Sequence, residues 1–458
     1  NRQSTFVTIP YLIHYSIVNL DSSLKNSWSV LCLGLNFQAF QAIMQRDYTK
    51  ERRSMPTIFD YLKTSQYDSF YDKDFTVLDA LALTELAYLP FEDLVPAEIS
   101  VQNYISLQHL AEQFEEKFQG KFPPLGMVNA HRLKLLSYLS SFKRYKHIRA
   151  LGFANDVSLD SQKQFAAITY QIRPKEYLVV FRGTDDSIIG WKEDFHLTYM
   201  KEIPAQLAAR DYLKEVLDKL DGKVWLAGHS KGGNLATYAA CHVETSIQDR
   251  IQKIYSFDAP GLHSSIRNSD NFKAIEGKIL SIIPENSIVG MMLETPETDL
   301  VVKSKTFGLL QHLMVSWEIE GDQFKVVPKV TEDSIQVDQT LKTWTANLSE
   351  EELRDFFDLF FGLFIEADIH RFGDITVDTP GKIQKLIENR RNLTHEQATM
   401  MDRLSRQLID TRIQVWKDSL PDLPKLTPFK LPDHFQEKLP KFDELHLTDK
   451  IRSLLPDK

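Results

Sequence analysis

Gly228-His229-Ser230-Lys231-Gly232-Gly233 follows the apolar run Val224-Trp225-Leu226-Ala227 and precedes the small-residue segment Asn234 to Ala240. A strand, a sharp turn with serine at its tip and a close-packed helix are what an exposed hydroxyl nucleophile requires. Gly228 and Gly232 stand two residues either side of Ser230, where side chains would collide in such an elbow. Ala236, Ala239 and Ala240 let the following helix approach a sheet closely. The three fixed positions of G-x-S-x-G are common, so the setting carries most of the weight. The plain alternative is a tight turn with a capping serine.

A serine nucleophile needs a base, an orienting acid and an oxyanion hole. In an elbow of this kind the acid and then the histidine follow the serine along the chain. Downstream histidines are His242, His263, His312, His370, His395, His434 and His446. His242 falls on the elbow helix itself, and those from His395 onward belong to helices or tail beyond the sheet. His312, in Phe307-Gly308-Leu309-Leu310-Gln311-His312, lies in a loop between the last sheet-like run, Leu300 to Lys303, and a hairpin pattern from Ser316 to Val327. A loop at the carboxyl edge of a sheet can present a base to the nucleophile. One oxyanion donor is the backbone N–H of Lys231, whose side-chain type the role leaves free. The second is expected from the loop after an earlier strand, where Val179-Val180-Phe181-Arg182-Gly183-Thr184-Asp185 offers the N–H and hydroxyl of Thr184. Each such donor is worth roughly 3 kcal/mol in the transition state.

The elements that must position these groups are legible from periodicity. Thr76 to Leu89 reads as a helix behind Asp74 as cap, followed by helices at Asn103 to Phe118 and Ala130 to Ser141. Gln164 to Ile172 and Glu176 to Arg182, split by Arg173-Pro174-Lys175, read as a hairpin. An amphipathic helix at Gln206 to Leu220, the strand Lys223 to Ala227, the elbow helix, and strands Lys253 to Phe257 and Lys278 to Ile283 follow. Strands alternating with helices predict an α/β fold, a mainly parallel sheet with helices on both faces. Beyond about Thr331 the strand signal fades. Ser349 with Glu352 is a capping box opening a Phe-rich helix, Leu353 to Ile365, and Thr394 with Gln397 opens another reaching Trp416. Phe356, Phe357, Phe360, Phe361 and Phe364 read as a core stripe, with a lipid-contacting face as the alternative. Prolines at 421, 424, 428, 432 and 440 predict an extended tail.

Composition sets outer bounds. The 458 residues are 43% hydrophobic and 26% charged, as in an ordinary globular protein with one large domain and an appendage. A formal net charge of -9 argues against nucleic acid as a partner. Cys32 and Cys241 can pair at most once, which points to a reducing, cytoplasmic compartment; Cys241 reads as a small core residue. Asn1 to Ile43 lacks a basic start, a clean apolar block and a cleavage site, and reads as a fragment end or an over-extended gene start ahead of Met44 or Met55. An imperfect membrane-targeting segment, or peripheral membrane contact, is the alternative. The expected divisions are an N-terminal extension over 1–55, a hydrolase-like domain over 56–347, a helical region over 348–418 and a tail over 419–458. No metal, nucleotide or other cofactor motif occurs, so no cofactor is expected. The sequence leaves the oligomeric state open.

Phe181-Arg182-Gly183-Thr184, Gly190-Trp191-Lys192-Glu193-Asp194 and Gly228-His229-Ser230-Lys231-Gly232-Gly233-Asn234-Leu235-Ala236 together resemble the class 3 lipases. They resemble more closely the Mbeg-like hydrolases, a bacterial family of unknown function related to those lipases. Gln311-His312 with Ser316-Trp317 is similar to that family's histidine segment, and Asp79 to Phe91 to its N-terminal helix. The resemblance runs from about Asp74 to Asn347. It implies an α/β-hydrolase fold and hydrolysis of a small-molecule or lipid carboxyl ester, with Ser230 as nucleophile, His312 as base and Thr184 in the oxyanion hole. The chain departs from class 3 lipases at the acid, where Pro284-Glu285-Asn286-Ser287-Ile288-Val289-Gly290 puts Asn286 and Ser287, neither of them anionic. Asp258, in Ser256-Phe257-Asp258-Ala259-Pro260-Gly261, ends the strand after the elbow helix and resembles the acid position of pancreatic-type lipases. Glu285 is the alternative acid. The altered acid also leaves room for a lipase-like scaffold without turnover, acting as a binding or regulatory module. Acyl transfer or thioester cleavage would use the same three groups.

Overall fold

The computed structural model describes residues 55–419 apart from 122–128, 159–162, 185–186, 294, 296–297, 307 and 371–378. The expectations for 1–43, Cys32 and the proline-bearing tail fall outside the described residues.

Helices α1 (Ile58–Ser65) and α2 (Val77–Leu86) come first, then the short strand β1 (Ile105–Ser106), α3 (Leu107–Phe118) and α4 (Asn129–Ser141). Next come β2 (Arg149–Ser158), β3 (Lys163–Arg173), β4 (Glu176–Phe181), α5 (Ile188–His196) and α6 (Pro204–Lys219). The strand β5 (Lys223–His229) leads into the elbow helix α7 (Lys231–Cys241), followed by β6 (Ile251–Phe257), β7 (Ile279–Pro284) and β8 (Leu300–Val302). The chain then forms β9 (Ile319–Glu320), β10 (Gln323–Phe324), β11 (Val326–Val327) and the helices α8 (Glu332–Ala346), α9 (Glu350–Glu366), α10 (Thr379–Asn392) and α11 (His395–Ser419). Contacts divide the chain into a unit Asn1–Val415 and a unit Trp416–Lys458, of which residues 416–419 are described, as helix.

The main sheet has nine strands in the order β1-β2-β3-β4-β5-β6-β7-β8-β11. β4 through β8 pair in parallel, and the antiparallel β1, β2, β3 and β11 extend the two edges. Strand period two explains why both faces are covered. Leu178 and Val180 of β4 join the core under α1 to α4, whereas Val179 and Phe181 join the core under α6 and α7. The expected hairpin forms in register, with Ile168 opposite Val180.

Several local expectations are corrected. The cap of α2 is Thr76, not Asp74: Thr76 Oγ1 accepts from the Asp79 N–H (3.3 Å) and the Asp79 carboxylate accepts from the Thr76 N–H (2.8 Å). Asp79 is then buried against Arg144 (2.7 Å), so a cap residue doubles as half of a core ion pair. β2 escapes the alternation test because its register shifts between Leu151 and Ala154, around Gly152 at φ 64°. The hairpin expected over Ser316 to Val327 is only β9 with β10; Val326 and Val327 instead pair with β8 at the sheet edge. The capping box at Ser349 and Glu352 opens α9 as expected. The aromatic face of α9 is core: Phe356, Phe357, Phe361 and Phe364 are buried with Trp344 and Leu404, and Phe195 of α5 stacks on Phe357 at 4.5 Å between ring centroids. Cys241 is a buried free thiol, and burial pushes it up to about 12, far from thiolate reactivity at neutral pH.

Candidate active site

β5 ends at His229, and Ser230 turns the chain straight into α7. Ser230 sits at φ 57°, ψ -135°, a region that non-glycine residues adopt only when the surroundings impose it. The surroundings do so through glycine. A Cβ on Gly228 would overlap the backbone of Gly232 and Gly233, and one on Gly232 would overlap the Phe181 carbonyl at the end of β4. The Ser230 N–H donates to the Phe257 carbonyl (2.9 Å) and the Ser230 carbonyl accepts from the Gly233 N–H (3.0 Å), which fixes the turn from both sides.

Asp258 follows β6, and its N–H donates to the Ile282 carbonyl of β7 (2.8 Å). Its carboxylate is almost fully buried and has three donors. His312 Nδ1 donates to Oδ2 (2.6 Å), while the Ser287 hydroxyl (2.5 Å) and the Gly290 N–H (3.1 Å) donate to Oδ1. The structure thus brings Asp258 to His312. Glu285 is held by its backbone instead, its N–H on Val302 (2.9 Å) and its carbonyl under the Thr331 N–H (2.7 Å). Ser287, noted in the sequence only as a residue that cannot be the acid, is a donor to Asp258.

His312 closes a 3-10 helix, Gly308–His312, and stands 22% exposed. Gln311 anchors the segment: its Oε1 accepts from the Asn286 N–H (2.9 Å), its Nε2 donates to Thr306 (2.9 Å), and its carbonyl accepts from the buried Trp317 indole (2.8 Å). The second anchor is His229. Its Nε2 bonds the His312 carbonyl (2.7 Å), and since a carbonyl only accepts, Nε2 carries the proton and Nδ1 accepts from the Tyr88 hydroxyl (2.9 Å). Burial, with His312 alongside, holds the His229 imidazole far below the usual histidine range, so it stays neutral in this role. Neither His229 nor Tyr88 stood out in the sequence. Among the described residues the Ser230 hydroxyl has no hydrogen-bond partner; contacts between nucleophile and base commonly tighten only when substrate is bound.

The loop Arg182-Gly183-Thr184 leaves β4 beside the serine. A Cβ on Gly183 would overlap the His229 carbonyl and the Tyr88 hydroxyl and press on Ser230 Cβ (3.1 Å). The first-turn N–H of Lys231 has no intrahelical acceptor and points from the positive end of α7. The Thr184 hydroxyl donates to Asp194 Oδ1 of α5 (2.8 Å), so the backbone N–H of Thr184 is the donor left for an oxyanion. Burial raises Asp194 to about 6, against the opposing pull of Lys231 and the Thr184 hydrogen bond. The Lys231 side chain is not the free choice the sequence suggested. It is fully buried, its ammonium donating to Glu193 Oε2 (2.7 Å) and Gln164 Oε1 (2.7 Å) and lying 3.8 Å from Asp194. Among the described residues no cluster of histidine, cysteine and carboxylate side chains could hold a metal ion, and no helix is long and apolar enough to cross a membrane.

A sheet with a parallel centre and helices on both faces, a strained serine elbow after a central strand, Asp258 at the end of the next strand and His312 in the 3-10 helix beyond β8 define an α/β-hydrolase-like fold. Residues 139–362 match the family described as Mbeg1-like, so the resemblance is shown over the segment holding Thr184, Ser230, Asp258 and His312; Asp79 to Phe91 lies outside it. Among solved structures, that described as the M37 lipase is similar at 15% identity and TM-score 0.30, covering 47% of this chain and 70% of its own. A fungal lipase–inhibitor complex, described as a model for interfacial activation, is similar at 15% identity and TM-score 0.26, covering 41% of this chain and 78% of its own. No curated protein matches the sequence.

Proposed function

We propose that this protein is a serine hydrolase that cleaves carboxyl esters through an acyl-enzyme. Ser230 attacks the acyl carbon, His312 takes the hydroxyl proton and returns it to the departing alcohol, and Asp258 holds His312 with its proton on Nδ1. The N–H groups of Lys231 and Thr184 receive the oxyanion. Water activated by His312 then releases the acid and frees Ser230. The observation that carries this reading is the pairing of a serine held at φ 57° with a His312–Asp258 hydrogen bond of 2.6 Å, supplied by segments 54 residues apart in sequence. A plain capping serine has no need of strained backbone, and a structural histidine has no need of a buried carboxylate with two further donors.

The test is labelling with an alkyl fluorophosphonate, followed by a chain-length series of p-nitrophenyl esters with Ser230→Ala as control. The expected result is one adduct on Ser230 and turnover lost in Ser230→Ala. Folded protein that takes no adduct and cleaves no ester would leave a scaffold without turnover.

A further inference from the structure

The residue after Ser230 is a lysine with no exposed side-chain surface, and the groups around it are Gln164 of β3 and Glu193 and Asp194 of α5, the helix that follows the Thr184 loop. Glu193 pairs with Lys231 and also accepts the backbone N–H groups of Gln164 (3.0 Å) and Ala205 (3.2 Å), tying α5 to β3 and to the start of α6. Asp194, its neighbour, accepts from the Thr184 hydroxyl and ties that residue to α5. One carboxylate therefore holds the Thr184 loop and a second, fully buried, stands beside it on the same helix. With both ionised they would set negative charge beside the oxygen that must itself become an anion, and low-dielectric surroundings magnify that repulsion.

Resting on the hydrolase reading above, we propose that the Lys231 side chain is a positioning residue of the oxyanion hole. Its buried ammonium offsets the charge of Glu193 and Asp194, so that Asp194 can hold Thr184 with less opposition to the oxyanion. The charged and titratable groups facing Asp194 are Lys231 from α7, Glu193 from its own helix and His312 from the 3-10 helix, with the Thr184 hydroxyl as hydrogen-bond partner. Lys192 turns away to Asp358 of α9 (2.8 Å) and takes no part.

Removing the ammonium should act on kcat and leave KM nearly alone, because the balance matters only once the oxyanion forms. Lys231→Met and Lys231→Gln are compared with wild type on p-nitrophenyl butyrate from pH 5.5 to 8.5, rates being normalised to phosphonate-titrated active sites. The expected result is a kcat loss of about 100-fold at pH 8, the size associated with losing one oxyanion donor. KM should stay within about threefold, and the loss should narrow toward pH 5.5 as Asp194 takes up a proton. Lys231→Met combined with Asp194→Asn restores the charge count, keeps an oxygen for the Thr184 hydroxyl and should recover to within about tenfold of wild type. A ratio flat across pH overturns the proposal, as does a double variant still about 100-fold down. Wild-type protein that takes no phosphonate and cleaves no ester removes the hydrolase reading and this inference with it. An active wild type with a flat ratio removes the inference alone.

Discussion

Replacing Asp258 with asparagine changes one atom, and the structure dictates where that atom goes. Oδ1 of Asp258 accepts from the Ser287 hydroxyl and the Gly290 N–H, so the amide oxygen of an asparagine stays on that side. Turning it toward His312 would leave two buried donors facing an NH₂ group, at about 1–3 kcal/mol each. The amide NH₂ therefore faces His312 Nδ1 in place of Oδ2, where the carboxylate now accepts at 2.6 Å. An NH₂ donates, so Nδ1 must accept and the ring proton moves to Nε2, the nitrogen that has to receive the Ser230 proton. The histidine remains in place in the wrong tautomer. Changes of this kind in serine triads lower kcat by about 10⁴-fold, or about 5.5 kcal/mol at about 1.4 kcal/mol per factor of ten. The assay is kcat on a p-nitrophenyl ester, with urea unfolding to show that Asp258→Asn folds. A loss below about tenfold in folded protein would refute the assignment, and so would a greater loss in Glu285→Gln than in Asp258→Asn.

Three further outcomes follow from local geometry. Ser230→Gly should be inactive yet more stable by about 1 kcal/mol in urea unfolding, because glycine occupies φ 57°, ψ -135° without the strain serine carries there. Gly232→Ala should destabilise by about 2–3 kcal/mol in the same measurement and lower kcat, since its Cβ would displace the Phe181-Arg182-Gly183 backbone that leads to Thr184. His196 is buried on α5, and burial, with Lys192 nearby, lowers it to about 4. Its folded pKa lies below the unfolded value of about 6.5, so its contribution is intact above pH 6.5 and is lost as pH falls toward 4. The loss reaches about 3 kcal/mol, and His196→Gln should flatten the stability profile between pH 6.5 and 4, as read by urea unfolding at each pH.

Elements with strong local signals were legible in the chain. Alternation bounded by Arg173-Pro174-Lys175 marks the β3–β4 hairpin, and Ser349 with Glu352 marks the start of α9. β2 was not, because its bulge around Gly152 breaks the alternation that identifies a strand. α5 and α8 were not, because their buried faces mix charged and apolar residues: Lys192, Glu193 and His196 are buried in α5, and Ser334, Asp338 and Thr340 in α8. The oxyanion segment was read from Phe181 to Thr184 with no signal for its anchor, although Asp194 stands ten residues after the threonine it holds.

What the sequence determines by itself is the nucleophile elbow. Glycines either side of Ser230 are a local steric requirement, written wherever a strand must turn at once into a helix. The acid was beyond its reach, since Asp258 and Glu285 both follow strands and both carry a carboxylate. The folded chain brings Asp258 to His312: β6 ends with Asp258 against β7, where Ser287 and Gly290 complete its hydrogen bonds and His312 meets it. It also sets the surroundings of Lys231, whose ammonium meets Glu193, a partner 38 residues away that only the folded chain brings within 2.7 Å. Elbows are short-range sterics, while charge balance and base orientation depend on segments that meet only in the folded chain.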